Sequence, residues 1–373
     1  MEWQDAFVIL LELASRNLLN LTSDPGSQAI SFGCGCDLFF SQHDVIRDLA
    51  LHLASRDSIL HSKRLFMPRK EDGLPVKWQA LEYQPSNAQI VSIHTGAMNE
   101  SQWCQVDFPE AEALVLSFSG SEYFLPPFLH TMPKLKVLII LNYNSKRATL
   151  TGLASLLSLT QLKTIRLERF IVPPLYEYCG SSQSLEKLSL SLCEGLRNMN
   201  KFNMEMALSF PKLRELTLDH CSDLEELPIQ VCDLTSLQRL SITNCHLVHR
   251  LPDDLGSLRL LRVLRLSACP SLAMLPPSIC KLGQLEFLDI SLCRCLKELP
   301  VELCQLSSLR KLDMRECSGL RQVPKEVAKL KSLRHVICDE KTEQLWLSIK
   351  ASALPKLIVE AVQENFNLDW LDD

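Results

Sequence analysis

The chain has 373 residues, 46% of them hydrophobic, with 39 basic against 44 acidic side chains and a formal charge of −5. That balance leaves no basic stripe of the kind a phosphate backbone requires, so nucleic acid is excluded as an expected partner. No apolar run reaches the roughly 18 to 20 residues of a membrane span, and Glu2 and Asp5 stand where a secretory leader carries positive charge. These features predict a cytoplasmic chain.

In chain order, residues 5–21 form a dense apolar stretch with Glu12 and Arg16 four apart, which predicts a buried helix ending before the turn Ser23-Asp24-Pro25-Gly26. Residues 27–40 alternate around Gly33-Cys34-Gly35-Cys36 and predict two short strands or a wing. Val45, Leu49, Leu51 and Leu53 mark a second helix, which Ser41 or Asp44 could cap. Helix, hairpin and helix together predict a partial winged-helix domain over residues 1–70. A charged stretch with Gly73 and Pro75 makes residues 71–87 a linker.

From Ala88 a pattern begins faintly and then becomes strict. Leu213, Leu237, Leu261, Leu285, Leu309 and Leu333 each open L-x-x-L-x-L at intervals of 24 residues, and Cys221, Cys245, Cys269, Cys293 and Cys317 close successive units. A constant period of that length with this consensus is the signature of leucine-rich repeats, each giving one short strand to a curved parallel sheet. The expected fold class is therefore an α/β leucine-rich-repeat solenoid over residues 88–338. The second and third leucines point inward, and the residues between them point out. Recurrent Leu-Pro pairs, from Leu227-Pro228 to Leu299-Pro300, are expected to turn the chain into its return path. Residues 339–373, divided by Pro355, are expected to be helices that cap the last unit.

The 15 cysteines fall largely at repeat-locked positions, which predicts stacked free thiols in a reducing compartment. The sequence has no G-x-x-x-x-G-K-[ST], G-x-S-x-G or H-E-x-x-H, so the chain is not expected to be an enzyme or to hold a metal. Function is expected on the outward columns instead. The third position of successive units reads Lys187, Glu215, Arg239, Val263, Phe287 and Lys311, and the fifth includes Arg265, Asp289 and Asp313. Phe287 and Val263 with flanking Arg239, Arg265 and Lys311 have the composition of a protein-binding hot spot inside a polar rim.

The segment FFSQHDVIRDLALHLASRDSI, then KRLFMPRKE, then cysteine-bearing repeats and the end FNLDWLDD, resembles plant intracellular nucleotide-binding leucine-rich-repeat (NLR) immune receptors. It looks most like the helper class of activated-disease-resistance-like proteins, whose winged-helix motif reads Gln-His-Asp, as Gln42-His43-Asp44 does. The resemblance implies that His43 contacts the β-phosphate of ADP and that Asp44 holds the surrounding loop. Such a nucleotide-state latch is incomplete without a P-loop, so no cofactor is expected in this chain, whereas full-length relatives hold ADP or ATP. It also implies a role in plant defence signalling, with lipase-like immune heterodimers as protein partners. Oligomerisation is expected to need N-terminal domains missing from this chain. The implied location is the cytoplasm, with the nucleus and the membrane as further family locations. The alternative is a stand-alone leucine-rich-repeat scaffold or ubiquitin-ligase substrate adaptor.

Overall fold

The computed structural model describes residues 20–22, 39–41, 64–66, 74, 85–172, 184–197 and 210–362. Most of the helix, wing and linker readings for residues 1–87 lie outside these. One correction falls within them. Asn20–Thr22 (β1), at the end of the segment read as helix, is a strand paired antiparallel with Phe39–Ser41 (β2).

The remaining strands build two sheets. In chain order they are Arg64–Phe66 (β3), Ile90–Thr95 (β4), Ala113–Phe118 (β5), Glu122–Phe124 (β6), Val137–Asn142 (β7), Ala148–Thr151 (β8), Thr164–Glu168 (β9), Phe170–Ile171 (β10) and Lys187–Ser191 (β11). They continue as Glu215–Asp219 (β12), Arg239–Thr243 (β13), Val263–Arg265 (β14), Phe287–Asp289 (β15), Lys311–Asp313 (β16), His335–Asp339 (β17) and Ile358–Val362 (β18). A 13-stranded sheet runs from β3 to β18 and omits only the strands of a second, 3-stranded sheet made of β6, β8 and β10. Strands of both sheets pair in parallel.

Register follows the repeat. Leu216, Leu240, Leu264, Leu288 and Leu312 stand side by side, at most 3% exposed. The alternation of buried and half-buried residues along β9, β11 and β12 shows one face turned to the core and one left open. Below the sheet, Pro228, Pro276, Pro300 and Pro324 each begin a short 3-10 turn, so the proline both ends the extended segment and opens the return. After Pro252 that turn shortens to Leu255–Ser257. Its Gly256 is required by close approach, because a Cβ there would stand 2.1 Å from the Ser278 carbonyl oxygen.

The first units, where leucine spacing is weak, are filled differently. Phe118 stacks on Tyr123 with ring centroids 4.0 Å apart, and Trp103 meets Tyr123 and Phe128 edge-on. Such pairs add about 0.5–1.5 kcal/mol beyond area burial. Tyr123 of β6 and Phe170 of β10 bring the second sheet into this cluster, both meeting Phe118.

The cysteines form a ladder. Cys293 Sγ donates to Leu266 O at 2.9 Å and Cys317 Sγ to Ile290 O at 3.0 Å, each reaching the preceding unit, and Cys193, Cys221, Cys245 and Cys269 repeat the contact at longer range. Burial pushes the Cys293 and Cys317 thiols up to about 12, so they stay protonated donors. All twelve cysteines among the described residues are free.

Just before each ladder cysteine the chain makes a left-handed step. Leu192, His220, Asn244, Ala268, Leu292 and Glu316 have φ between 51° and 62°. The amide of each of five of them, Leu192, His220, Asn244, Ala268 and Leu292, donates to the next unit's backbone, as Ala268 does to Ser291 O at 2.9 Å. The left-handed region costs an L residue about 1–2 kcal/mol and glycine almost nothing. Ala268→Gly is therefore expected to raise the urea midpoint, with a gain in unfolding free energy of about 0.5–1 kcal/mol after glycine's larger unfolded-state entropy is subtracted. An unchanged or lower midpoint would show that the step is unstrained.

At the C-terminal end the expectation of two helices is half right. Glu340–Ser352 is a helix (α1) whose Trp346 is fully buried. Beyond Pro355 the chain returns to the sheet as β18, with Ile358 beside His335 and Val359 beside Val336. Val359 and Ala361 take the inward places that Val336 and Cys338 hold in the unit before, β-branched residues suit the strand, and α1 replaces the return segment between β17 and β18. Residues 363–373 lie outside the described residues.

Candidate protein-binding face

The open face of the sheet carries three columns, at the third, fifth and seventh positions of each unit. Strand pairing sets Lys187, Glu215, Arg239, Val263, Phe287 and Lys311 in one row. Arg265, Asp289 and Asp313 are neighbours in the next.

In the first row Glu215 is shared. Its Oε1 lies 3.1 Å from Lys187 Nζ and 2.6 Å from Arg239 Nη1. These groups are partly exposed, so each pair contributes at most about 1 kcal/mol and acts chiefly to orient the side chains. Further along, the half-buried Phe287 ring lies between two cations, with Arg265 Cζ 5.8 Å and Lys311 Nζ 5.2 Å from its centroid. Val263 flanks it. Phe287 and Val263 thus form an apolar centre with cations around it, as the columns predict.

The second row departs from expectation. Its sequence position makes Asp289 and Asp313 outward residues available to a partner, yet they are only 6% and 3% exposed. The covering groups are their own neighbours. Arg265 Nε lies 3.2 Å from Asp289 Oδ2, and Arg315 clamps Asp313 at 2.8 and 3.0 Å. Ser291 donates to Asp289 Oδ1 through both its hydroxyl, at 2.7 Å, and its amide, at 3.0 Å. Burial raises the Asp289 carboxyl above the usual range and adjacent Asp313 adds to it, against the Ser291 hydrogen bonds and Arg265. Arg265, Asp289 and Asp313 therefore belong to a charge network that the open face satisfies internally, with Arg315 as a member that the two-column reading misses.

A second feature was legible by carrying the column rule back to the Ala88 unit. Ile90, Ala113 and Val137 in one row, Val115 and Ile139 in the next, and Leu141 beyond are all half-buried. They give the first units an apolar open face. His43 and Asp44 lie outside the described residues. Among those described, no helix is long and apolar enough to cross a membrane.

Residues 196–358 match the model of a leucine-rich repeat region. A probable disease resistance protein of Arabidopsis thaliana is 45% identical over 62% of this chain and 28% of its own length. Disease resistance protein ADR1 of the same plant is 42% identical over 63% of this chain and 30% of its own. The chain thus spans less than a third of the length of these relatives. Among solved structures, a Leptospira interrogans leucine-rich-repeat protein aligns over 78% of this chain and 93% of its own, with 18% identity and a TM-score of 0.44. The family resemblance read from the motifs is borne out, and the chain is a leucine-rich-repeat protein homologous to the disease resistance proteins of plants.

Proposed function

We propose that this chain is the repeat-mediated protein-binding platform of a helper NLR in plant defence signalling. The observation that carries the docking role is the Val263–Phe287 centre, held half-buried on the open face between Arg239 and Lys311. Homology to plant disease resistance proteins supports the pathway. The partner class proposed from the motifs is the lipase-like immune heterodimer, met in the cytoplasm. The chain performs no chemistry of its own on this reading, and His43 with Asp44 act only as half of an ADP-sensing latch.

The test is retention of a purified lipase-like heterodimer by the immobilised chain. Phe287→Ala combined with Arg239→Glu is expected to lower retention at least about tenfold, the scale of one interface hot spot, with the melting temperature unchanged. Equal retention by both chains would move the interface off this face.

A further inference from the structure

Along β9 to β18 the open-face cations are satisfied within the fold, with one exception. Lys187 and Arg239 share Glu215, Arg166 meets Glu168, Arg265 meets Asp289 and Arg315 meets Asp313. Among the described residues along β9 to β18, Lys311 is the lysine or arginine of this face with no carboxylate within ion-pair distance. Its row neighbours are Phe287 and His335, and Asp313 on its own strand is engaged by Arg315. Its ammonium instead rests over the Phe287 ring. An aromatic face attracts a cation but leaves its charge unneutralised.

We propose that Lys311, Phe287 and Val263 form a docking point for a partner-protein segment that carries a carboxylate close to an apolar or aromatic side chain. The carboxylate meets Lys311 Nζ, and the apolar group covers Phe287 and Val263. Neighbouring strands are about 4.8 Å apart, and two residues of extended chain span about 7 Å. An Asp or Glu two positions from a Phe or Leu, laid across the strands, therefore reaches from Lys311 to between Phe287 and Val263. The net charge of −5 gives no general attraction for an acidic segment, so any preference for one must come from this local cation. The proposal rests on the reading of this face as the docking surface.

Selection of a displayed random-peptide library on the full chain tests it. The wild-type chain is expected to enrich peptides with Asp or Glu two positions from Phe or Leu, and Lys311→Glu to enrich Lys or Arg in place of the acid. By fluorescence anisotropy the best wild-type peptide should lose about tenfold in affinity on Lys311→Ala and most of its salt dependence. Matched thermal melts establish that each variant is folded. Peptides that depend on Phe287 but bind Lys311→Glu equally well overturn the proposal and leave the docking face standing. Peptides indifferent to both Phe287→Ala and Lys311→Glu overturn both.

Discussion

Arg265→Ala is expected to destabilise the chain by about 3 kcal/mol at neutral pH, within the range for removing one partner of a buried ion pair. The Arg265 and Asp289 side chains are only 19% and 9% exposed, and Asp313 is the next residue along the row. Losing the guanidinium leaves two buried carboxylates side by side. The deficit should depend on pH with a definite sign. Asp289 has a carboxyl pKa raised above its unfolded value, first by burial. Such a group contributes most to stability below the unfolded pKa, and that contribution is lost as pH rises through the folded one. Without Arg265 the rise is larger, so the gap between variant and wild type should widen from about pH 4 to neutrality. Asp289→Asn in the Arg265→Ala background should recover most of the loss, because the amide needs no counterion. Urea titrations at the two pH values check both points. A gap under about 1 kcal/mol, or one independent of pH, would mean that water reaches the pair freely.

The second large effect belongs to the core. Leu264 is fully buried between Leu240 and Leu288, so Leu264→Ala should cost about 2–5 kcal/mol through lost transfer energy and the cavity left behind. In a stacked array each unit contacts only its neighbours. Amide exchange should therefore accelerate first in β13, β14 and β15, while β4 and β5, held by their aromatic cluster, keep wild-type protection. Uniform acceleration along the sheet would show that it unfolds as one body.

The inward architecture is legible because its causes are local. Two leucines two positions apart must share a face of a strand, and a cysteine eight positions after the leucine that opens its unit, as Cys269 is after Leu261, stacks wherever its repeat stacks. The outward rows are legible for the same reason. What spacing does not carry is the lateral partner. Arg265 and Asp289 lie in different units, and the sequence pattern alone does not show that the arginine folds onto its neighbour and leaves the surface. The aromatic filling around Phe118 and Tyr123 replaces leucine without following its consensus, so the second sheet that shares it has no signal in the leucine spacing. Pro355 misleads in a different way. It interrupts a helix pattern, yet it also precedes a strand, and the β-branched Ile358, Val359 and Val362 decide for the strand.

The pairing of open-face groups across units bears on how such a chain can change over generations. The inward leucines are interchangeable from unit to unit, so excising one whole period between Arg239 and Phe287 would leave Leu240 beside Leu288 with no change of register. The outer rows are not interchangeable. The same excision would remove Val263 and Arg265 and leave Asp289 without its guanidinium. Copying or losing a unit is thus nearly silent inside and consequential outside, so unequal recombination at these repeats can redraft what the face recognises while the scaffold persists.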